Sequence, residues 1–174
     1  MYYKPGNEAY RLKKVYSINI EGVTQHSGGY YLYKTASSKL SEFEKKMKQM
    51  LPEVGAYAMT HNVTMAGPPF ILYLKWDEEN DATIFSTGVP TNSKIVSTES
   101  DILTGKLESF RAVKTVLKGD YKNLKDAWKS TMKYISDNNL EMIEGGSMLE
   151  TYLTDPMRKP NPADWITEIY IAIK

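Results

Sequence analysis

Apolar residues recur along this chain at two periods. Over the stretch 37–52, Leu40, Phe43, Met47, Met50 and Leu51 fall on one side, while Lys39, Lys45, Lys46 and Lys48 fall on others. That spacing predicts an amphipathic helix, capped by Ser37 or Ser38 and ended by Pro52. A second helix is predicted after Asp120, a good N-cap, with Leu124, Trp128, Thr131, Met132 and Ile135 as its buried stripe up to the turn at Asp137-Asn138-Asn139. Trp128 is read there as core and not as ligand wall. Seven short segments rich in Val, Ile, Thr and Tyr read as strands: 15–22, 30–35, 70–76, 82–90, 110–117, 149–154 and 165–173.

The order of elements repeats. Tyr30-Tyr31-Leu32-Tyr33-Lys34-Thr35 precedes the first helix, and Phe110-Arg111-Ala112-Val113-Lys114-Thr115 precedes the second. After each helix a glycine leads into a strand, Gly67 to Tyr73-Leu74 and Gly146 to Tyr152-Leu153, with the same spacing. The chain therefore reads as one domain over residues 1–174: repeat one about 15–91, a polar connection 92–108, and repeat two about 109–174. Two β-α-β-β units side by side, related by a pseudo-twofold, make an α+β fold. Its antiparallel sheet carries two main helices on one face and leaves the other face free for a ligand groove.

Side chains alternate across a strand, so parity sorts the faces. In the last strand Trp165, Thr167, Ile169 and Ile171 fall together, opposite Ile166, Glu168, Tyr170 and Ala172; in the strand before it, Leu149, Thr151 and Leu153 oppose Glu150 and Tyr152. If the apolar sets cover the helices, Glu150, Tyr152, Glu168 and Tyr170 project together on the far side, with Ile71 and Tyr73. Two carboxylates among aromatic rings suit an organic cation, and partial burial would raise their pKa values into a range useful for acid–base work. The alternative is a solvated sheet face on which Glu and Tyr are ordinary.

Composition narrows the chemistry further. The net charge of +1 argues against a polyanion binder, so direct nucleic-acid contact is not expected. Zero cysteines remove thiol nucleophiles and thiolate metal sites. His26 and His61 are the only histidines and lie far apart, which makes a metal site improbable and leaves both as surface residues; no cofactor is expected. The longest apolar or aromatic runs are five residues, as in 70–74 and 169–173, and the first fourteen residues contain no apolar signal core. A cytoplasmic chain without membrane contact is the expectation. Lys45, Lys46 and Lys48 read as a solvated helix face. The imbalance to explain is thirteen tyrosines against four Phe and three Trp.

Four runs carry a family likeness: Thr104-Gly105-Lys106, Gly119 to Trp128, Leu149-Glu150-Thr151-Tyr152-Leu153-Thr154-Asp155-Pro156, and Asp164 to Ile171. Together they resemble the second half of the GyrI-like small-molecule-binding domain, also known as the AraC-type effector-binding domain. The first half fits through the repeat and Gly88-Val89-Pro90. The resemblance implies a two-repeat fold whose groove takes drug-like or cationic effectors through Glu and Tyr, here Glu150, Glu168 and Tyr170, with Tyr152 and Tyr73 as further walls. It also implies two settings: a stand-alone sensor or sequestering module, or the effector part of a regulator whose DNA-binding domain or protein partner lies elsewhere. The alternative it raises is a hydrolase of strained, cyclopropane-containing electrophiles, with Glu168 or Glu150 as general base. Ala172 stands where the family pattern has Pro, and the turn before the second helix reads Lys118-Gly119-Asp120-Tyr121, a departure at the pocket edge.

Overall fold

A computed structural model describes residues 15–99 and 101–174. Tyr2, Tyr3 and Tyr10, and the reading of the first fourteen residues, lie outside the described residues. The strands are β1 (Ser17–His26), β2 (Gly29–Ser38), β3 (Phe70–Asp77), β4 (Ala82–Thr91), β5 (Leu103–Leu107), β6 (Phe110–Lys118), β7 (Met148–Tyr152) and β8 (Ile166–Ala172), and the helices are α1 (Phe43–Thr60) and α2 (Leu124–Asp137). The strands form one antiparallel sheet in the order β1-β6-β8-β7-β3-β4-β2-β5. Exchanging β2 with β6, β3 with β7, and β4 with β8 reverses the order of the six inner strands onto itself. The α+β architecture and the repeat are thus as expected.

The outermost strands add a feature that the repeat did not reveal. The connection carries β5, which pairs with β2 of repeat one, while β1 pairs with β6 of repeat two. Repeat one therefore lends an edge strand to repeat two, and the connection supplies one to repeat one. The turns that join β1 to β2 and β5 to β6 are two residues long, yet each links opposite ends of the sheet. A two-residue turn spans at most about 10 Å between the strand ends it joins, so the sheet curls until its ends meet. At that meeting point Gly28 has φ +66°, and a Cβ there would sit 2.0 Å from the Leu107 carbonyl oxygen.

Both helix starts follow 3-10 turns. Asp120 caps as expected, accepting the Lys122 N–H at 2.9 Å. Ser37 and Ser38 do not cap: they end β2, Lys39 holds the cap position, and the Leu40 N–H donates instead to Asp81 in the β3–β4 turn. Pro52 does not end α1 but lies inside it on the exposed side. The missing hydrogen bond is offset by the next two turns, where Val54, Tyr57 and Ala58 bury against Leu32 and Val89. Over the other half, α2 seats Ala127 and Ile135 on Val113, Leu117, Ile169 and Ile171, with the Thr131 and Thr115 hydroxyls bonded at 2.6 Å. Among the described residues, no helix is long and apolar enough to cross a membrane.

Candidate functional site

The two helices sit over opposite halves of one sheet face, leaving the central strands β3 and β7 between them. Register decides which residues occupy that gap. Thr87, Ile71, Glu150, Ile169 and Thr115 stand directly opposite one another across β4, β3, β7, β8 and β6. Directly paired residues share a face. Thr115 touches α2, and Phe85, two residues from Thr87, packs on Phe43 of α1, so Glu150 faces the helices. Ile71 and Glu150 are also equivalent positions of the two repeats, which places the pseudo-twofold axis between them and makes Tyr73 and Tyr152 a related pair.

Parity therefore misassigned the faces. Glu150 pairs with Ile169, and Glu168 pairs with Thr151. The structure brings Glu150, Tyr152 and Tyr73 together on the helix face and puts Glu168 and Tyr170 on the opposite one. Alternation ordered each strand correctly; the error was to place the charged set of β7 away from the helices, because a buried carboxylate breaks the polar-out rule. The groove that parity placed on the free face is accordingly replaced by the gap between the helices as the site of Glu150.

Glu150 is 3% exposed. The Trp128 indole N–H donates to its Oε1, and the Tyr152 hydroxyl donates to Oε2 at 2.6 Å. Burial pushes the carboxyl above its ordinary value, opposed by the hydrogen bonds from Tyr152, Trp128 and Tyr73. Every group acting on it is neutral: no Lys, Arg or His among the described residues pairs with it. Burial first, then the neighbouring carboxylate, holds the Tyr73 and Tyr152 phenols well above their ordinary value, so both stay protonated. In register beside Tyr152 lies Thr167, whose buried hydroxyl has no partner.

Rings complete the walls. Tyr73 meets Trp128 edge-on at 5.5 Å and Phe43 at 5.7 Å; Phe43 in turn meets Trp76, which is half exposed at the rim. On the other flank Tyr121 lies between Tyr152 and Trp165 at 5.5 and 4.6 Å. Sequence reasoning missed Phe43, Trp76 and Tyr121 and left Trp128 in the core. For Trp128 a signal existed, since a half-buried indole needs an acceptor for its N–H and a buried Glu on the strand below supplies one.

Glu168 has other company. Its Oε2 pairs with Lys114 at 2.8 Å and accepts the Tyr170 hydroxyl at 2.8 Å, and Lys114 also reaches Glu21 at 3.3 Å. Burial, then the bond to Glu168, pushes Tyr170 up to about 12. Lys114 is lowered by burial but raised more by Glu168, Tyr170 and Glu21, and ends well above its ordinary value. His26 is not a plain surface histidine: it is half-buried, stacks on Phe110, meets Tyr170 edge-on at 4.8 Å and accepts the Gly28 N–H at Nδ1. Burial lowers its pKa against the pull of Glu168. Glu168 thus has a cation, Lys114, as its partner, which Glu150 lacks.

Such a fold, with a solitary buried acid on the symmetry axis between two helices, defines a two-repeat small-molecule-binding module. The sequence agrees: residues 13–174 match the GyrI-like small molecule binding domain, and the chain belongs to that family. No curated protein matches it. Among solved structures, EcmrR in a DNA complex superposes with TM-score 0.77 at 19% identity, covering 97% of this chain and 61% of that one. The present chain thus spans under two thirds of that chain's length. SAV2435 bound to tetraphenylphosphonium gives TM-score 0.64 at 13% identity, covering 90% of this chain and 94% of that one. A hydrolase from Listeria innocua gives 0.56 at 13%, covering 97% and 98%. At these identities the likeness shows the fold.

Proposed function

We propose that this chain binds small lipophilic aromatic cations in the gap between α1 and α2, with Glu150 as countercharge and Tyr73, Tyr152, Trp128 and Phe43 as walls. The observation that carries this is a carboxylate at 3% exposure held only by neutral donors. Burying an acid without a cation costs free energy, and a bound cation on aromatic faces recovers it. The tetraphenylphosphonium complex of a protein with this fold supports the ligand class. Calorimetry with tetraphenylphosphonium on the wild type and Glu150→Gln tests it. Losing one partner of a buried charge pair costs about 2–5 kcal/mol, at least about 30-fold in affinity; equal affinities would sink the charge argument. The DNA complex of EcmrR supports a setting as the effector part of a regulator, with DNA contact made by another segment.

A second reading is hydrolysis of a strained electrophile, with Glu150 as general base. It draws on the raised carboxyl and on the hydrolase with this fold. Glu168, engaged by Lys114 on the other face, does not take part. Multiple turnovers that vanish in Glu150→Gln would establish this reading, and stoichiometric binding without product would exclude it.

A further inference from the structure

We infer that the Glu150 site exchanges a proton for its ligand's charge: at rest Glu150 is a neutral carboxylic acid, and a bound organic cation expels its proton to solvent. The balance is E–COOH + L⁺ → E–COO⁻·L⁺ + H⁺. The inference rests on the cation reading above and adds its stoichiometry and pH dependence.

The geometry carries it from every side. From β7 the acid meets Tyr152; from β3, Tyr73, with Ile71 directly opposite; from β8, Ile169; from α2, Trp128. Phe43, Met47 and Met50 of α1 close the same apolar cluster, with Tyr121 on the opposite flank. The carboxylates that act on Tyr121, Asp120 and Asp155, carry the wrong sign to neutralise Glu150. The indole can only donate, which fixes Oε1 as an acceptor and leaves Oε2 as the oxygen that carries the proton. Phenol hydroxyls both donate and accept, so Tyr152 or Tyr73 can receive that proton's hydrogen bond in the resting acid and return a hydrogen bond to the carboxylate when the proton leaves. The carboxyl therefore keeps hydrogen-bond partners in both protonation states, which a reversible exchange site requires.

One consequence is selectivity by pH. Affinity for a permanent cation falls about tenfold for each pH unit below the resting pKa of Glu150 and is level above it; a neutral aromatic ligand shows no such slope. The test is calorimetry of the wild type with tetraphenylphosphonium, in pairs of buffers of different ionisation enthalpy, at pH values from about 5 to about 8. The expected result is proton release that approaches one per bound cation at the acid end and declines towards the alkaline end. Glu150→Gln is expected to bind more weakly and to release none. Binding by the wild type without proton release or pH dependence over that range would overturn the exchange while leaving the cation reading intact. Failure of the wild type to bind even at the alkaline end would overturn the cation reading itself, and the exchange with it.

Discussion

Replacing Glu150 by Gln should stabilise the empty protein, increasingly so as pH rises. The amide keeps the shape, its oxygen can still accept the Trp128 N–H, and its nitrogen can donate to Tyr152 or Tyr73. What disappears is the titration. Burial raises the folded-state pKa of Glu150 above its ordinary value of 4.5. Between the unfolded and folded values the native state therefore holds a proton that the unfolded chain has released. In that window unfolding free energy falls as pH rises, by up to about 1.4 kcal/mol per pH unit, and it levels off above the folded value. For a chain of this length that is about 3–6 °C of melting temperature per pH unit. Thermal melts of both proteins from about pH 4 to pH 8, plotted as a difference, cancel the other titrations, including those of Lys114 and His26. The difference should open in favour of Glu150→Gln as pH rises from the acid end. A flat difference, or a wild type that gains relative stability with pH, would refute the claim that burial dominates at this carboxyl.

Other substitutions separate the two faces and test the fold. Lys114→Met strips the cation from Glu21 and Glu168 and should lower the melting temperature, yet leave tetraphenylphosphonium affinity within about twofold, because the cluster lies across the sheet from Glu150; parallel melts and calorimetry check both halves. Gly28→Ala forces a side chain into the Leu107 carbonyl at a left-handed position and should destabilise by about 3 kcal/mol or more, read from urea unfolding. Pro52→Ala restores a helix hydrogen bond on the exposed side of α1 and should stabilise by about 1–3 kcal/mol in the same assay.

Much of the scaffold was legible in local pattern. The 3.6-residue stripes located α1 and α2, period-two runs located seven of the eight strands, and the Gly-to-Tyr-Leu spacing exposed the repeat. What escaped was non-local. Leu103–Leu107 became a strand because β2 offered a free edge, and no feature of its own composition announced it. Pro52 was a stop signal overridden by the packing of Val54 and Tyr57. At the site, Glu150, Tyr152 and Tyr73 were legible as an acid among phenols. The face they occupy was not, because alternation fixes sides within a strand and only register relates one strand to the next. Of the thirteen tyrosines, Tyr73, Tyr121 and Tyr152 line the site and Tyr170 serves the opposite face.

A crystal structure of the tetraphenylphosphonium complex tests the central claim most directly. The account predicts the phosphonium between α1 and α2, about 6 Å or less from an aromatic centroid of Tyr73, Tyr152 or Trp128, with the Glu150 carboxylate as its closest anion. A phosphonium lodged on the opposite face against Glu168 and Tyr170, or bound with no acid beside it, would contradict that account.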